Sequence, residues 1–294
     1  MNNVLDYPNF LGSENEQAVA NKARFHILPV PYEKTVSYGS GTALGPKAIL
    51  DASWQLEQWD GSSKPCEAGI HTCKTIDCSL KADQVLEEIA NSIVTIVDHG
   101  AFPIILGGEH TVTYGIIKGL KAAGIKDFGL VQIDAHADLR ETYEGDKLSH
   151  ASAMKRVLDM DIPLFQLGVR VLCEEEIKMR EQFEISYIDA DELVKNNITT
   201  IELPENFPKK VFFTLDIDGM DPSVFPSTGT PVPGGLGWYQ TLAIFESIAR
   251  QREIIGFDIM EFSPIKGFHC YDFAAALLTY KMMGIIQRGV IHSK

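Results

Sequence analysis

Residues 128–140 read FGLVQIDAHADLR. The run is apolar and β-rich up to Ile133, the composition of a strand covered on both faces, and it predicts a strand over Phe128–Asp134. Asp134, His136 and Asp138 then follow at i, i+2 and i+4. In an extended chain these positions share a face, so three coordinating side chains converge where the strand leaves the core. Two carboxylates held so close repel unless a cation or a proton lies between them. A lone Asp-x-Asp reads as a solvated pair, but the interleaved histidine and the buried-type strand before it point to metal.

Working outward, similar apolar runs recur. They predict strands over Phe25–Val30, Phe102–Leu106, Leu164–Gly168, Val211–Leu215 and Ile254–Ile259. Amphipathic stretches separate them. Ala82–His99 carries Val85, Leu86, Ile89, Ile93, Ile96 and Val97 on one stripe and stops before Gly100, a C-cap signal. Thr111–Ala123 stops before Gly124, and Ala151–Asp159, Trp238–Gln251 and Tyr271–Ile286 complete the helices. This alternation predicts an α/β fold whose parallel sheet carries helices on both faces and binds ligands at the carboxyl ends of its strands. The chain reads as one domain over 1–294, with residues 1–22 a poorly ordered or peripheral segment and residues 60–80 an excursion.

The net charge of −14 over 294 residues argues against a nucleic-acid partner, which needs basic patches. It fits simple solubility and favours attraction of a cationic substrate. No apolar run reaches the roughly 18 residues of a membrane span, and the N-terminus lacks a basic region followed by an apolar one. The expectation is a cytoplasmic protein without a membrane partner. Cys66, Cys73, Cys78, Cys173 and Cys270 are odd in number and form no CxxC pair, so they read as free thiols, and the spacing of the first three around His71 is unlike a zinc site.

The device of residues 128–140 appears twice more. VFFTLDIDGMDP (211–222) is an apolar strand ending in Asp216 and Asp218, with a turn beginning at Asp221-Pro222. FPIILGGEHTVT (102–113) ends in Gly107-Gly108-Glu109-His110, where the glycines are expected to let the backbone turn tightly and aim His110 at the strand ends. Two imidazoles and four carboxylates exceed the three protein ligands of a typical catalytic zinc. They balance two divalent cations. An oxygen-rich set with some histidine suits manganese, with iron, cobalt, nickel and zinc left open. A pair of such ions holds a hydroxide at neutral pH, implying attack on a poor electrophile. Glu261, after the Ile254–Ile259 strand, would point into the same mouth and offer a guanidinium a bidentate partner. His150, opening a helix twelve residues beyond Asp138, can return to the mouth as a proton shuttle.

Together these residues resemble the ureohydrolase family of arginases, agmatinases and guanidinobutyrases. GGEH at 107–110, DAHAD at 134–138 and DIDGMDPSVFPSTGTPVPGGL at 216–236 carry the resemblance, which runs from about Pro29 to Lys281. It implies a three-layer α/β/α fold with a central, mostly parallel sheet, two manganese ions per subunit and a trimer or hexamer. It also implies that His110 and Asp138 hold one ion, that His136 and Asp218 hold the other, and that Asp134 and Asp216 bridge. His150 matches the proton-shuttling histidine, Glu261 the guanidinium-binding glutamate and Thr230 a threonine near the guanidinium. One departure is that the family often places Asp before its first ligand histidine, where this chain has Glu109. The extra methylene is expected to alter hydrogen bonds around the ligands without removing one.

The resemblance implies a small cationic guanidino substrate, attacked at the guanidinium carbon by a metal-bridging hydroxide. Between Asp138 and His150 the chain reads LRETYEGDKLS, without the Ser-Gly-Asn-type run that holds the amino-acid end of arginine in arginases. The expected reaction is therefore agmatine to putrescine and urea, with Glu141, Glu144 and Asp146 available to the distal ammonium. A guanidinobutyrase or other guanidino acid hydrolase is the alternative, kept open by Arg140 and Lys147. A non-catalytic metal-binding paralogue is the reading from a different class, and a two-metal phosphatase lacks a phosphate-binding loop.

Overall fold

The computed structural model describes residues 7–12 and 15–289. Its strands are β1 (Phe25–Val30), β2 (Ile70–Thr72), β3 (Phe102–Gly107), β4 (Phe128–Ile133), β5 (Leu164–Leu167), β6 (Ser186–Ile188), β7 (Lys210–Asp216) and β8 (Glu253–Met260). They form one sheet in the order β2-β1-β3-β8-β7-β4-β5-β6, and every neighbouring pair is parallel. The sheet is therefore wholly parallel, where a mostly parallel one was expected.

The helices are α1 (Gly45–Ser53), α2 (Ala82–Asp98), α3 (Thr111–Ala122), α4 (Ala153–Leu158), α5 (Glu174–Gln182), α6 (Ala190–Lys195), α7 (Trp238–Ala249) and α8 (His269–Gly289). The near-continuous apolar strands have their physical reason in the two faces. Phe25, Ile27, Phe213, Leu215, Phe257 and Ile259 point into a core shared with α1, α7 and α8. Leu28, Val30, Phe212 and Met260, of opposite parity, point into a second core with α2, α3 and α4. Three layers result, as the resemblance implied.

The six expected strands lie within one residue of their predicted bounds. The two missed strands, β2 and β6, are three residues long and sit at the sheet's edges, too short to carry a periodicity. β2 lies inside residues 60–80, so that segment joins the sheet after a 3-10 turn at Pro65–Ala68 and is no simple excursion. The helix expected over Ala151–Asp159 is instead a 3-10 turn at His150–Ser152 followed by α4. Helix α5 (EEEIKMREQ) was invisible because it is strongly polar, burying only Glu176 and Arg180. In the N-terminal segment expected to be peripheral, residues 1–6 and 13–14 lie outside the described residues. The part described is docked: Phe10 and Leu11 are buried, and their N–H groups donate to Thr72 Oγ1 (2.9 Å) and Ser53 Oγ (2.8 Å).

Because all strands run one way, their carboxyl ends share one edge. Four adjacent central strands, β3, β8, β7 and β4, end there in the segments that carry His110, Glu261, Asp216 with Asp218, and Asp134 through Asp138. With strands about 4.8 Å apart, four of them span only about 15 Å.

Candidate metal centre and substrate mouth

Each ligand candidate is set by a local device. Asp134 follows β4 directly and is fully buried. Its Oδ1 accepts the His136 N–H (2.6 Å) and its Oδ2 accepts Gln132 Nε2 (2.7 Å). Gln132 is itself held by Gln166 Nε2 (2.7 Å). The extended i, i+2, i+4 alignment is corrected here, since the strand stops at Ile133 and Asp138 has φ of 53°. A turned loop, not a pleated strand, brings Asp138 round, and its carbonyl is pinned by the N–H groups of Met154 and Lys155 (3.1 Å each). Asp216 and Asp218 likewise do not share a strand face. Asp216 ends β7 and caps a 3-10 turn, Ile217–Gly219, accepting the Asp218 N–H at 2.8 Å.

The glycines before His110 also act differently from expectation. Neither Gly107 nor Gly108 has positive φ. They are needed for close approach: a Cβ on Gly108 would lie 1.9 Å from the Tyr32 carbonyl oxygen, and one on Gly107 would lie 2.0 Å from Met260 Sδ. His110 follows at the N-cap of α3, buried.

Two groups of ligand atoms come together: His110, Asp134 and Asp216, and Asp134, His136 and Asp218. Asp134 belongs to both, whereas Asp216 falls in the first alone. Asp138 joins the first through its Oδ2, 3.2 Å from His110 Nδ1. Around the same Nδ1 stand Asp134 Oδ2 at 3.1 Å and Asp216 Oδ2 at 3.3 Å, and His136 Nδ1 lies 3.0 Å from Asp218 Oδ2. Such separations match donors about 2.1 Å from one ion at right angles, which stand about 3.0 Å apart.

The fit to a cation rests on His110. Its Nε2 lies 2.8 Å from Thr214 Oγ1, and that hydroxyl donates to Asp258 Oδ1 at 2.6 Å. The hydroxyl proton being used, Nε2–H is the donor to Thr214. Nδ1 is then left buried among three carboxylate oxygens, with no hydrogen-bond partner among the described residues. That is the posture of a lone pair directed at an ion. Against the effect of burial, those oxygens favour positive charge there, raising the imidazole well above its usual range.

Charge says the same. Burial pushes Asp138 up to about 7, with the Asp134 charge adding to it. Burial, then Asp218 and Asp134, raises Asp216 well above the carboxylate range. Burial alone would depress His136, but Asp134 and Asp218 outweigh it and hold the imidazole up at about 12. The cluster collects positive charge wherever it can, and two divalent cations would balance four carboxylates.

Beside these groups lies a mouth of about 200 Å³. His136, Asp138, Asp216, Asp218, His150, Thr230 and Glu261 all line it, so every expected site residue except the deeper His110 and Asp134 faces it. Glu261 has φ of 59°, and its Oε1 accepts the His110 N–H at 2.8 Å. Burial, then the charge of Glu109, raises its carboxyl well above the usual range. Thr230 Oγ1 donates to Asp218 Oδ2 (3.2 Å). His150, depressed by burial, stands edge-on to the Tyr143 ring with centroids 5.5 Å apart.

The acidic loop is placed otherwise than expected. Glu141 is held by Lys147, Lys155 and Arg156 at 3.2–3.4 Å, and none of Glu141, Glu144 and Asp146 lines the mouth. Arg140, Tyr143 and the buried Glu176 do.

Sequence reasoning missed several supporting residues. Arg170 donates through Nη2 to the carbonyls of Asp218 (2.6 Å) and Val232 (2.7 Å) and through Nη1 to that of Gly168 (3.0 Å), so it ties the ligand turn to the loop that carries Thr230. Its only signal was an arginine just past a strand end. Thr214 and Asp258 sat inside apolar strands as isolated polar residues, a signal that was available.

Residues 23–284 match the profile of the Arginase family. An N(1)-aminopropylagmatine ureohydrolase from Synechocystis sp. is 38% identical, covering 94% of this chain and 92% of that protein. An agmatinase from Pyrococcus horikoshii is 30% identical, covering 90% and 93%. Among solved structures, agmatine ureohydrolase of Thermoplasma volcanium superposes with a TM-score of 0.86 at 25% identity, covering 99% of this chain and 98% of that one.

Proposed function

The chain belongs to the Arginase family, as an agmatinase-like ureohydrolase, and from that premise we propose that it releases urea from the guanidinium of agmatine or its N(1)-aminopropyl derivative. The observation that carries the reading is the pairing of two His–Asp groups with a mouth-lining Glu261. The 38% identity to an aminopropylagmatine ureohydrolase favours the longer substrate, and the 30% identity to an agmatinase keeps agmatine itself.

His110, Asp134, His136, Asp138, Asp216 and Asp218 would hold two divalent cations, with manganese suited to the donor set. Bound there, the ions supply acidified water at neutral pH. The protein's own groups do the rest. Glu261 offers a carboxylate to the planar guanidinium, a charge-assisted partnership that orients its carbon towards the ligand cluster. Its raised affinity for a proton means that an arriving cation takes the proton's place. His150 donates a proton to the departing amine nitrogen as its bond to carbon breaks. The distal amine would meet Glu176, which lines the mouth and whose oxygens already accept the N–H groups of Leu139 and Cys173, whereas Glu141 lies off the mouth and is engaged with three cations.

Arg140, which lines the mouth, favours a second reading: hydrolysis of a guanidino acid whose carboxylate it would meet. Urea release from agmatine, N(1)-aminopropylagmatine, 4-guanidinobutyrate and arginine by the manganese-loaded protein separates the two. Preference for 4-guanidinobutyrate would refute the first reading. Silence on all four would leave the non-catalytic paralogue.

A further inference from the structure

We propose that Thr35, anchored by Glu109, is a positioning residue that fixes the tautomer and aim of His150. The inference rests on the reading of His150 as the proton donor, and it gives the departure at Glu109 a function.

Glu109 is fully buried and accepts four hydrogen bonds. Its Oε2 takes the N–H groups of Lys34 (2.5 Å) and Thr35 (2.7 Å), and its Oε1 takes the hydroxyls of Thr35 (2.6 Å) and Thr111 (2.7 Å). An aspartate, shorter by one carbon–carbon bond of about 1.5 Å, would not reach all four from the same backbone. The loop after β1 is thereby fastened to the turn that carries His110, and Thr35 is held by both its backbone and its side chain.

A threonine hydroxyl has one proton and two acceptor sites. The Thr35 proton is committed to Glu109. Its two acceptor sites face one residue: the His150 N–H at 3.0 Å and His150 Nδ1 at 3.2 Å. Nδ1 must therefore carry a proton to complete the set, which makes His150 the Nδ1–H tautomer in its neutral form. Nε2 is then the site that takes up a proton and gives it to the departing amine, while the Nδ1 proton stays on Thr35. Ser149 Oγ, 3.4 Å from the same Nδ1, is the competing partner. Were its hydroxyl to donate, it would impose the opposite tautomer, but it is the more distant of the two.

The test compares Thr35→Val, Thr35→Ser, Ser149→Ala, His150→Ala and the double variant Thr35→Val/His150→Ala, all saturated with manganese and checked for metal content and Tm. Loss of a general acid costs about 10²- to 10⁴-fold in kcat. His150→Ala should fall in that range. Thr35→Val should lower kcat about 10- to 100-fold, the worth of a hydrogen bond to a charged group, with KM changed less than about threefold. Thr35→Ser should restore kcat to within about threefold, and Ser149→Ala should cost less than that. In the His150→Ala background, Thr35→Val should add almost nothing, since residues that act as a unit are not additive. Should Thr35→Val fold poorly, Thr35→Ala keeps the Thr35 N–H to Glu109 and serves in its place. A full Thr35→Val loss in the His150→Ala background, or a larger effect from Ser149→Ala than from Thr35→Val, overturns the inference. A harmless His150→Ala overturns the reading beneath it instead, and the inference falls with it.

Discussion

Thr214→Val is the substitution that most directly tests whether the buried polar chain behind His110 exists to serve a metal ion. Threonine and valine have nearly the same shape, so packing between the neighbouring strands β4 and β8 is preserved. What disappears is one hydroxyl that accepts from His110 Nε2 at 2.8 Å and donates to Asp258 Oδ1 at 2.6 Å. Both partners are buried, and each buried group left without a partner costs about 1–3 kcal/mol. Asp258 relieves part of its share, because Thr113 still donates to its Oδ2 at 2.8 Å and burial already pushes its carboxyl up to about 6. The stability loss is thus expected near the lower end of a sum of about 2–6 kcal/mol. For the metal, loss of the group that orients a ligand histidine costs about 10- to 100-fold in affinity. Activity titrated against free Mn²⁺, with equilibrium dialysis alongside, reads this directly. The midpoint should move up 10- to 100-fold while saturating Mn²⁺ returns kcat to within about threefold. An unchanged midpoint would mean that Nε2 does not set the posture of Nδ1, and the argument that Nδ1 is a ligand would lose its support.

Chelation should lower Tm, and Mn²⁺ at about 100 times its Kd should restore about 2.7 kcal/mol of stability per site; a calorimetric scan that ignores chelator contradicts the two-cation balance. Arg170→Lys replaces a planar donor fork by a point charge, so the ligand turn and the Thr230 loop should separate and kcat/KM fall by about 10-fold or more, measured by urea release at saturating Mn²⁺. A lysine variant within about twofold of the parent would show that the carbonyl contacts are incidental. Glu141→Gln should leave KM for agmatine within about twofold, because its charge is already shared among Lys147, Lys155 and Arg156; a large rise in KM would return the acidic loop to the substrate. Gly108→Ala should fail to accumulate as folded protein, since the new methyl meets the Tyr32 carbonyl oxygen at 1.9 Å; near-native Tm by circular dichroism would exclude the close-approach account.

Why the ligand candidates were legible and their supports were not follows from what periodicity records. Six strands announced themselves because both their faces are covered, and the polar residues that broke the apolar pattern at their ends were the ligand candidates. The edge strands β2 and β6 and the polar helix α5 bury too little to leave a pattern. The convergence of the ligands was inferred from an extended geometry that the chain does not have. Asp138 and Glu261 instead take left-handed backbone, at 53° and 59°, conformations that cost of order 1–3 kcal/mol and survive only where the surroundings enforce them. Aspartate has only a weak preference for that region and glutamate none, so neither residue stood out.

Strand order was equally hidden, and it decides the site. Consecutive strands usually lie side by side, yet here β3 and β4, adjacent in sequence, are parted by β8 and β7. The insertion of those two late strands sets Glu261 and the Asp216–Asp218 turn between His110 and the Asp134–Asp138 loop. Were β3 and β4 neighbours, His110 would face Asp134 without a third carboxylate between them, and Glu261 would have no N–H of His110 to accept. The same argument reaches Thr35: β1 lies beside β3, so the loop after β1 emerges next to the Gly107–His110 turn, within reach of Glu109. A site of six ligand candidates and its proposed proton donor is thus assembled from five neighbouring positions on one sheet edge, in an order that the chain completes only when β8 is in place.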